Sequence, residues 1–439
     1  MKTSRYNFLV PLEDGRTLAY NALSNGMCLI PGEVRELLEG WSEEGWECLS
    51  EETRSELRRG GFVVAGELDE RDVVRIRYRQ GQFGSLSAAL TIAPTLHCNL
   101  ACRYCFENPS RRKMDQKTRN AVVEFAGGLL PERGGGLSVT WYGGEPLLAL
   151  DAIERLSEKF LALCEERQAE YSASIITNGT FLDGAVARRL AELRVQNAQV
   201  TIDGPREIHD VRRPLKSGGG SFARIVANLE EAVPQLPVGI RINVDRSNVD
   251  AAFAVVEDIQ GRSWFDPERV AFHFGYVRRY TPACGCGIEE MLELTDFWDI
   301  STDLSERLRQ RGLVSEPLYP ELAEGCTATT SNAFVIGPEG ELYRCWNHVG
   351  DAKQTVGTVH EPSATHPLTV AFLIDGFEQD EECLECRFLP VCTGGCVDVR
   401  RKAKAGLLPR KDCARWRYGF EAYLNRYFQC WADRQSVTR

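Results

Sequence analysis

Six short runs rich in β-forming residues, at 90–94, 137–142, 174–177, 199–202, 239–244 and 270–276, recur with helical stretches between them, for example 152–167, 182–193 and 222–233. Strand and helix in strict alternation require crossover connections, and crossovers make neighbouring strands parallel. The pattern predicts an α/β fold, a parallel sheet curved into a partial (β/α)6 TIM-like barrel over residues 89–300. In barrels of this type the chemistry collects at the C-terminal ends of the strands.

The first strand runs directly into Cys98-Asn-Leu-Ala-Cys102-Arg-Tyr-Cys105. A [4Fe–4S] cubane has four irons, each needing a terminal ligand. Three thiolates on one tight loop suit three of them and leave the fourth open to another molecule. Taken alone, the run reads equally as a zinc site or a disulfide. The chain has sixteen cysteines, and no signal-peptide-like stretch follows Met1. No apolar run approaches the ~20 residues of a membrane span. A cytoplasmic protein is expected, where clustered cysteines point to metal or catalysis rather than to structural disulfides. The formal net charge of −11 disfavours nucleic acid as a partner, though not a basic groove for an acidic peptide.

Further motifs sit at strand ends. The second strand closes in Gly143-Gly144-Glu145-Pro146, where glycine permits close backbone approach and Glu145 offers an acceptor for a cation. Thr177-Asn178-Gly179-Thr180 ends the third. Thr201-Ile-Asp203-Gly204-Pro205 ends the fourth and leads to His209-Asp210 and Arg213. Asn243 lies on the fifth. Farther on, Cys326 precedes Gly340-Glu-Leu-Tyr-Arg-Cys345, then come Cys383-x2-Cys386-x5-Cys392-x3-Cys396 and, after a gap, Cys413. Cysteine pairs at these spacings also permit zinc ribbons.

The three-cysteine loop followed by GGEP resembles the radical S-adenosylmethionine (SAM) superfamily. The TxDGPxxxHDxxR passage and the seven C-terminal cysteines resemble its SPASM branch. The resemblance covers residues 90–415. It implies that Cys98, Cys102 and Cys105 hold a SAM-binding [4Fe–4S] cluster. It also implies that Gly143, Gly144, Glu145, Pro146, Asn178, Thr201, Arg213 and Tyr104 contact SAM, with the GGEP tip at the amino group and Thr201 and Arg213 at the ribose and carboxylate. An arginine fork suits a carboxylate. Residues 301–439 would then be a cysteine-rich SPASM domain with two auxiliary iron–sulfur clusters. Cys383, Cys386, Cys392 and Cys413 would ligate one. Cys326, Cys345 and Cys396 would ligate the other, whose fourth ligand stays open between Cys284, Cys286 and a substrate thiolate. Cys28, Cys48, Cys164 and Cys430 read as ordinary thiols.

Residues 1–88 pattern as a separate module. A hairpin around Glu13-Asp14-Gly15 precedes helices after Pro31 and over 51–59, and a short strand at Phe62-Val-Val follows. The order resembles a winged-helix-like peptide-recognition element, which would bind a leader peptide along a strand edge. A cap that only shields the barrel reads equally well. The resemblance implies a maturase that cross-links a ribosomally made precursor peptide through a thioether, carbon–carbon or ether bond, fed by an external flavodoxin or ferredoxin. An anaerobic sulfatase maturase is the alternative. Members of that group commonly carry Asp directly after the Gx4C cysteine, where this chain has Trp346. A non-catalytic iron–sulfur carrier is the third reading. Tyr276, His209, Asp245 and Arg278 are expected at the barrel mouth, without assigned roles.

Overall fold

The computed structural model describes residues 1–12, 15–281, 284–285, 287–313, 322, 326–363, 365–408, 413 and 417–437. Glu13, Asp14, Cys286, Arg410, Lys411 and Trp416 lie outside them, as does the side chain of Cys430. The chain divides into two compact units. One is residues 1–84 with 314–326 and 373–439, and the other is 85–313 with 327–372.

The first unit begins with β1 (Lys2–Thr3), β2 (Asn7–Pro11), β3 (Thr17–Asn21) and β4 (Met27–Ile30). β2, β3 and β4 form an antiparallel sheet in that order, and β1 pairs with β5 (Val63–Val64). The expected helices form at Gly32–Glu39 and Glu51–Arg59, the latter capped by the Ser50 side chain on Thr53 N. Two further helices are the short Glu43–Cys48 and the longer Glu70–Phe83, which starts from the Asp69 cap. Residues 1–84 close one small core of their own around Ile30, Val34, Leu37, Trp46, Leu57 and Phe62, and their hairpin enters a second with the C-terminal segment. Phe8 meets the rings of Phe388 at 4.9 Å and Phe420 at 4.5 Å, and Tyr78 meets Phe377 at 5.2 Å. The hairpin and the C-terminal cysteine segment thus share one aromatic core, in place of the independent module expected over 1–88.

The second unit carries the predicted sheet. Its strands β6 (Ser87–Ile92), β7 (Gly136–Trp141), β8 (Glu170–Thr177), β9 (Val195–Thr201), β10 (Val238–Val244) and β11 (Val270–Tyr276) are all parallel. Two further strands extend it. β12 (Ala333–Ile336) pairs parallel to β6 in the register Ala333↔Ala89, and β13 (Leu342–Tyr343) pairs antiparallel to β12. Residues 333–343, expected within the C-terminal domain, therefore belong to the sheet, where they cover the otherwise open edge of β6.

Alternation along the strands has one consequence for function. Val139, Trp141, Ala173, Ile175, Ala198, Val200, Ile240 and Ile242 are buried on one face. The other face carries Thr140, Ser174, Gln199 and Arg241, each partly open to solvent. Side chains two apart share a face, so the sheet packs its helices with apolar residues and turns a polar wall inward.

Candidate active site

The inner wall and the strand tips enclose a cleft of about 420 Å³, within the usual size range of small-molecule sites. Cys98, Cys102 and Cys105 face it together with Gly143, Gly144, Asn178, Thr201, Arg213 and Tyr104. The fold thus gathers residues spread over more than a hundred positions.

The cysteine loop is held by main-chain bonds on several sides. Gly144 N donates to Thr95 O at 3.3 Å and Glu145 N to His97 O at 2.9 Å. Ala101 N reaches Pro214 O at 2.9 Å, Lys216 N reaches Asn99 O at 2.8 Å and Gly285 N reaches Arg103 O at 3.0 Å. Gly143 has φ +117°, and a Cβ there would stand 2.3 Å from Thr95 O. A Cβ on Gly144 would stand 2.6 Å from both Leu96 O and His97 O. Both glycines are required because two backbones meet there. Ala93, Leu96 and Tyr142 pack with Val335 and Tyr343 of β12 and β13, so the added strands support the loop from behind.

Glu145 and Pro146, expected with Gly143 and Gly144 among the residues that contact SAM, do not line the cleft. Glu145 is fully buried, and its carboxylate accepts from Thr177 Oγ1 (2.7 Å), Leu147 N (3.0 Å) and Asn178 N (2.7 Å). It ties the tip of β7 to the tip of β8. Burial raises its pKa, and the three donors work against that shift. Pro146 opens the short turn Pro146–Ala149 behind it. Asn178 completes the joint, donating to Asn99 Oδ1 at 2.8 Å and lying 3.8 Å from Cys98 Sγ.

The two adjacent arginines have different fates. Arg212 is locked on Asp245 (2.8 and 2.7 Å), Ser247 and the Asn243 carbonyl, over the Tyr104 ring. Arg213 faces the cleft. Its Nη1 donates to Tyr104 OH at 2.5 Å, and its buried Nε has no hydrogen-bond partner among the described residues. Tyr104 OH also accepts from Asn243 Nδ2 at 3.2 Å and donates to Asp203 Oδ2 at 2.5 Å. His209 and Asp245 lie beneath this network rather than at the mouth, because both are consumed by it. The Asp203 N–H points to His209 Nδ1 (3.3 Å), so Nε2 carries the proton toward Ser221 Oγ (3.0 Å), which donates to Arg213 O (2.7 Å). Burial first, then the Arg213 charge, pushes His209 down to about 3. Tyr276 and Arg278 do line the cleft.

Some wall residues carry no sequence signal of their own. Glu107 follows Cys105 by two positions, faces the cleft and hydrogen-bonds with Tyr142. Burial pushes its carboxyl up to about 7, and its Oε2 is buried without a hydrogen-bond partner among the described residues. Trp346 stacks on Tyr142 at 6.0 Å and stays half exposed. Cys284 is buried against Val277, with Tyr104 and Met291 packed on it, as a small hydrophobe would be.

The residues fit a cubane with one open iron. Among the described residues no three side chains of His, Cys, Asp or Glu could hold a single metal ion, but cysteines of a cubane bind separate irons. Leu100 N–H points at Cys98 Sγ (3.4 Å). Burial pushes the Cys98 thiol up to about 11 and that of Cys105 up to about 12. Bound iron overrides such shifts by displacing the proton. The partnerless Arg213 Nε, buried at the wall, suits an incoming carboxylate.

Of the C-terminal cysteines, Cys326, Cys383, Cys386, Cys392, Cys396 and Cys413 fall in the first unit and Cys345 in the second. Cys383 is buried, its N–H capped by Asp380, and Arg417 Nη1 points at Cys413 Sγ (3.4 Å).

Residues 92–251 match the profile of the Radical SAM superfamily. The chain is 26% identical over 340 residues to the cysteine-type anaerobic sulfatase-maturating enzyme of Clostridium perfringens, covering 69% of this chain and 86% of that one. Two solved structures share the fold. The native enzyme anSMEcpe with bound AdoMet and the Cp18Cys peptide superposes with TM-score 0.59 at 21% identity, over 77% of this chain and 98% of that one. Streptococcus suis SuiB bound to its precursor peptide SuiA gives 0.55 at 16% identity, over 91% of this chain and 96% of that one. Residues 92–251, with the three-cysteine loop and the GGEP tip at the head of a parallel sheet, are a radical SAM domain, and the chain that carries it is an enzyme.

Proposed function

We propose that this enzyme is a peptide maturase that removes hydrogen from a ribosomally made precursor and closes an intramolecular cross-link, a thioether or a carbon–carbon or ether bond. The observation that carries this reading is the N-terminal sheet. β4 is an edge strand, paired only with β3 among the described residues. Such an edge can take an extended leader peptide as a further strand. The likeness to SuiB, whose structure holds its precursor peptide, extends over 91% of the chain.

In this reading Cys98, Cys102 and Cys105 hold the [4Fe–4S] cluster, the main chain of the GGEP tip receives the SAM amino group, and Thr201 and Arg213 take its ribose and carboxylate. A cluster held by these three thiolates would supply the electron for reductive cleavage of SAM. Glu145 keeps the strand tips joined, and Tyr104 keeps Arg213 turned to the cleft. The apolar surfaces of Tyr142, Trp346 and Tyr276 exclude water around the substrate. A cross-link removes two hydrogens, one as an atom and one as a proton with an electron. That electron needs an acceptor, and two auxiliary clusters on Cys383, Cys386, Cys392 and Cys413, and on Cys326, Cys345 and Cys396, would supply it. A flavodoxin or ferredoxin would deliver the priming electron.

Sulfatase maturation is the second reading, favoured by the similarity to the Clostridium perfringens enzyme over 69% of the chain. Trp346, where an acidic residue would follow Cys345, speaks for the first. The enzyme assignment removes the bare electron carrier. The test is anaerobic reconstitution, then incubation with SAM, reductant and the short peptide encoded beside the gene. A peptide lighter by two hydrogens, formed with 5′-deoxyadenosine, is the expected result. An unchanged precursor, together with a sulfatase cysteine peptide that loses its sulfur, would overturn it in favour of the second reading.

A further inference from the structure

The cleft carries more positive charge than its cofactors use. Arg213, Lys216, Arg241 and Arg278 line it, against the single carboxylate of Glu107. A [4Fe–4S] cluster on three thiolates is negative by one charge in its oxidised state, and SAM is positive by one, so the pair brings no net charge. The excess stands out in a chain whose overall charge is −11.

Arg241 is the best-placed of the four. It lies on β10 on the polar inner face, half-buried. Its Nε donates to Asn243 Oδ1 at 2.7 Å, and no carboxylate among the described residues pairs with it. Gly275 on β11 makes room for it. A Cβ there would stand 2.5 Å from Arg241 Nη2 and 2.7 Å from Cζ. The guanidinium is thus laid flat over a glycine, anchored at Nε and left with its Nη donors for another group. Asn243 also bonds Tyr104 OH, which bonds Arg213. Two guanidiniums are therefore linked through one tyrosine and one asparagine, one of them placed for the carboxylate of SAM.

We infer that Arg241 is a second anion seat, which binds a carboxylate on the substrate next to the residue that reacts. The inference rests on the peptide reading above and narrows it to peptides with Asp, Glu or a free C-terminus at that place. A fixed guanidinium without a counter-ion favours a carboxylate over a neutral amide, because the pair forms two parallel charged hydrogen bonds. Lys216, exposed at the rim, and Arg278, between the rings of Tyr276 at 4.9 Å and Tyr280 at 5.4 Å, extend the same field toward solvent.

The test uses reconstituted enzyme loaded with SAM and no reductant. It is equilibrated with a library of short C-terminally amidated peptides, each with a fixed central cysteine and randomised neighbours, and the retained peptides are read by mass spectrometry. Asp and Glu beside the cysteine should be enriched about tenfold over Asn and Gln. Arg241→Gln should abolish that preference while SAM affinity changes by less than about twofold. Gly275→Ala, which keeps the charge but displaces it, should weaken it too. A parallel library with free C-termini tells a terminal carboxylate from a side chain, since enrichment confined to it assigns the seat to the terminus. Retention without acidic preference, preference that survives Arg241→Gln, or a loss of SAM affinity in that variant overturns the inference and leaves the peptide reading standing. If SAM binds and neither library is retained, the peptide reading fails and the second seat fails with it.

Discussion

The two cysteine-bearing regions are built on opposite plans. The loop of residues 95–105 is joined to segments far away in sequence by main-chain hydrogen bonds at Thr95, His97, Asn99, Ala101 and Arg103. Residues 383–396 are made of single turns, the helices Glu381–Leu384 and Leu389–Cys392, closed by local bonds such as Cys386 N to Cys383 O (3.1 Å) and Gly395 N to Cys392 O (3.1 Å). What holds them is an aromatic core shared with the N-terminal hairpin. The first region inherits its geometry from a sheet. The second inherits it from side-chain packing, and single turns have little stability of their own.

The packed region offers the largest effect. Phe420 is 4% exposed and touches Phe8, Tyr20 and Phe388. Phe420→Ala should cost about 3–4 kcal/mol, read as faster amide exchange in β2 and in residues 383–396, with residues 96–105 unmoved. Equal loss of protection in both regions would erase the contrast. On the loop side, Gly144→Ala drives a Cβ into two carbonyls. It should lower SAM cleavage about a hundredfold and remove the iron of one cluster, while stability of the first unit is kept. Tyr104→Phe removes the acceptor of Arg213 and Asn243. SAM should bind about tenfold more weakly, with iron content unchanged, as isothermal titration of the reconstituted enzyme would show.

A further effect is electrostatic. His209 is depressed to about 3 in the folded chain, below the ~6.5 of an unfolded histidine. Between those values the unfolded state binds the extra proton, so stability is complete above pH 6.5 and falls as pH drops toward 3. The slope from this residue is at most about 1.4 kcal/mol per pH unit. His209→Gln should flatten the stability profile of the iron-free protein between pH 7 and 5. The remaining slope belongs in part to His273, which burial and Arg241 hold down to about 4.

The six strands were legible because each is a short β-forming run followed by a helical stretch, and two of the helices open at an aspartate cap, Asp115 before Gln116–Leu129 and Asp183 before Gly184–Glu192. The cleft's cysteines and glycines were legible because their spacing is chemical. The pairing of β12 with β6 was not, since the short run Ala333–Ile336 carries no mark of its neighbour. The shared core of residues 1–84 and 373–439 was hidden for the same reason. Phe8 and Phe420 lie more than four hundred positions apart, and contact at that range leaves no local pattern. Glu145 and His209 were misplaced because a polar residue in a motif reads alike whether it faces the cleft or braces it from behind. Arg241 drew no role because its function depends on Gly275, one strand away.

The joint between Thr95–His97 and Gly143–Glu145 is made by peptide groups alone. Apart from Gly143 and Gly144, where any side chain would meet carbonyl oxygens, side chains on either side can change without moving it. The heritable part of this site is therefore its scaffold, and the chemistry of its walls at Phe106, Glu107, Arg241 and Trp346 is open to revision one substitution at a time. A lineage with such a joint can exchange one substrate for another without rebuilding the place where radicals are made.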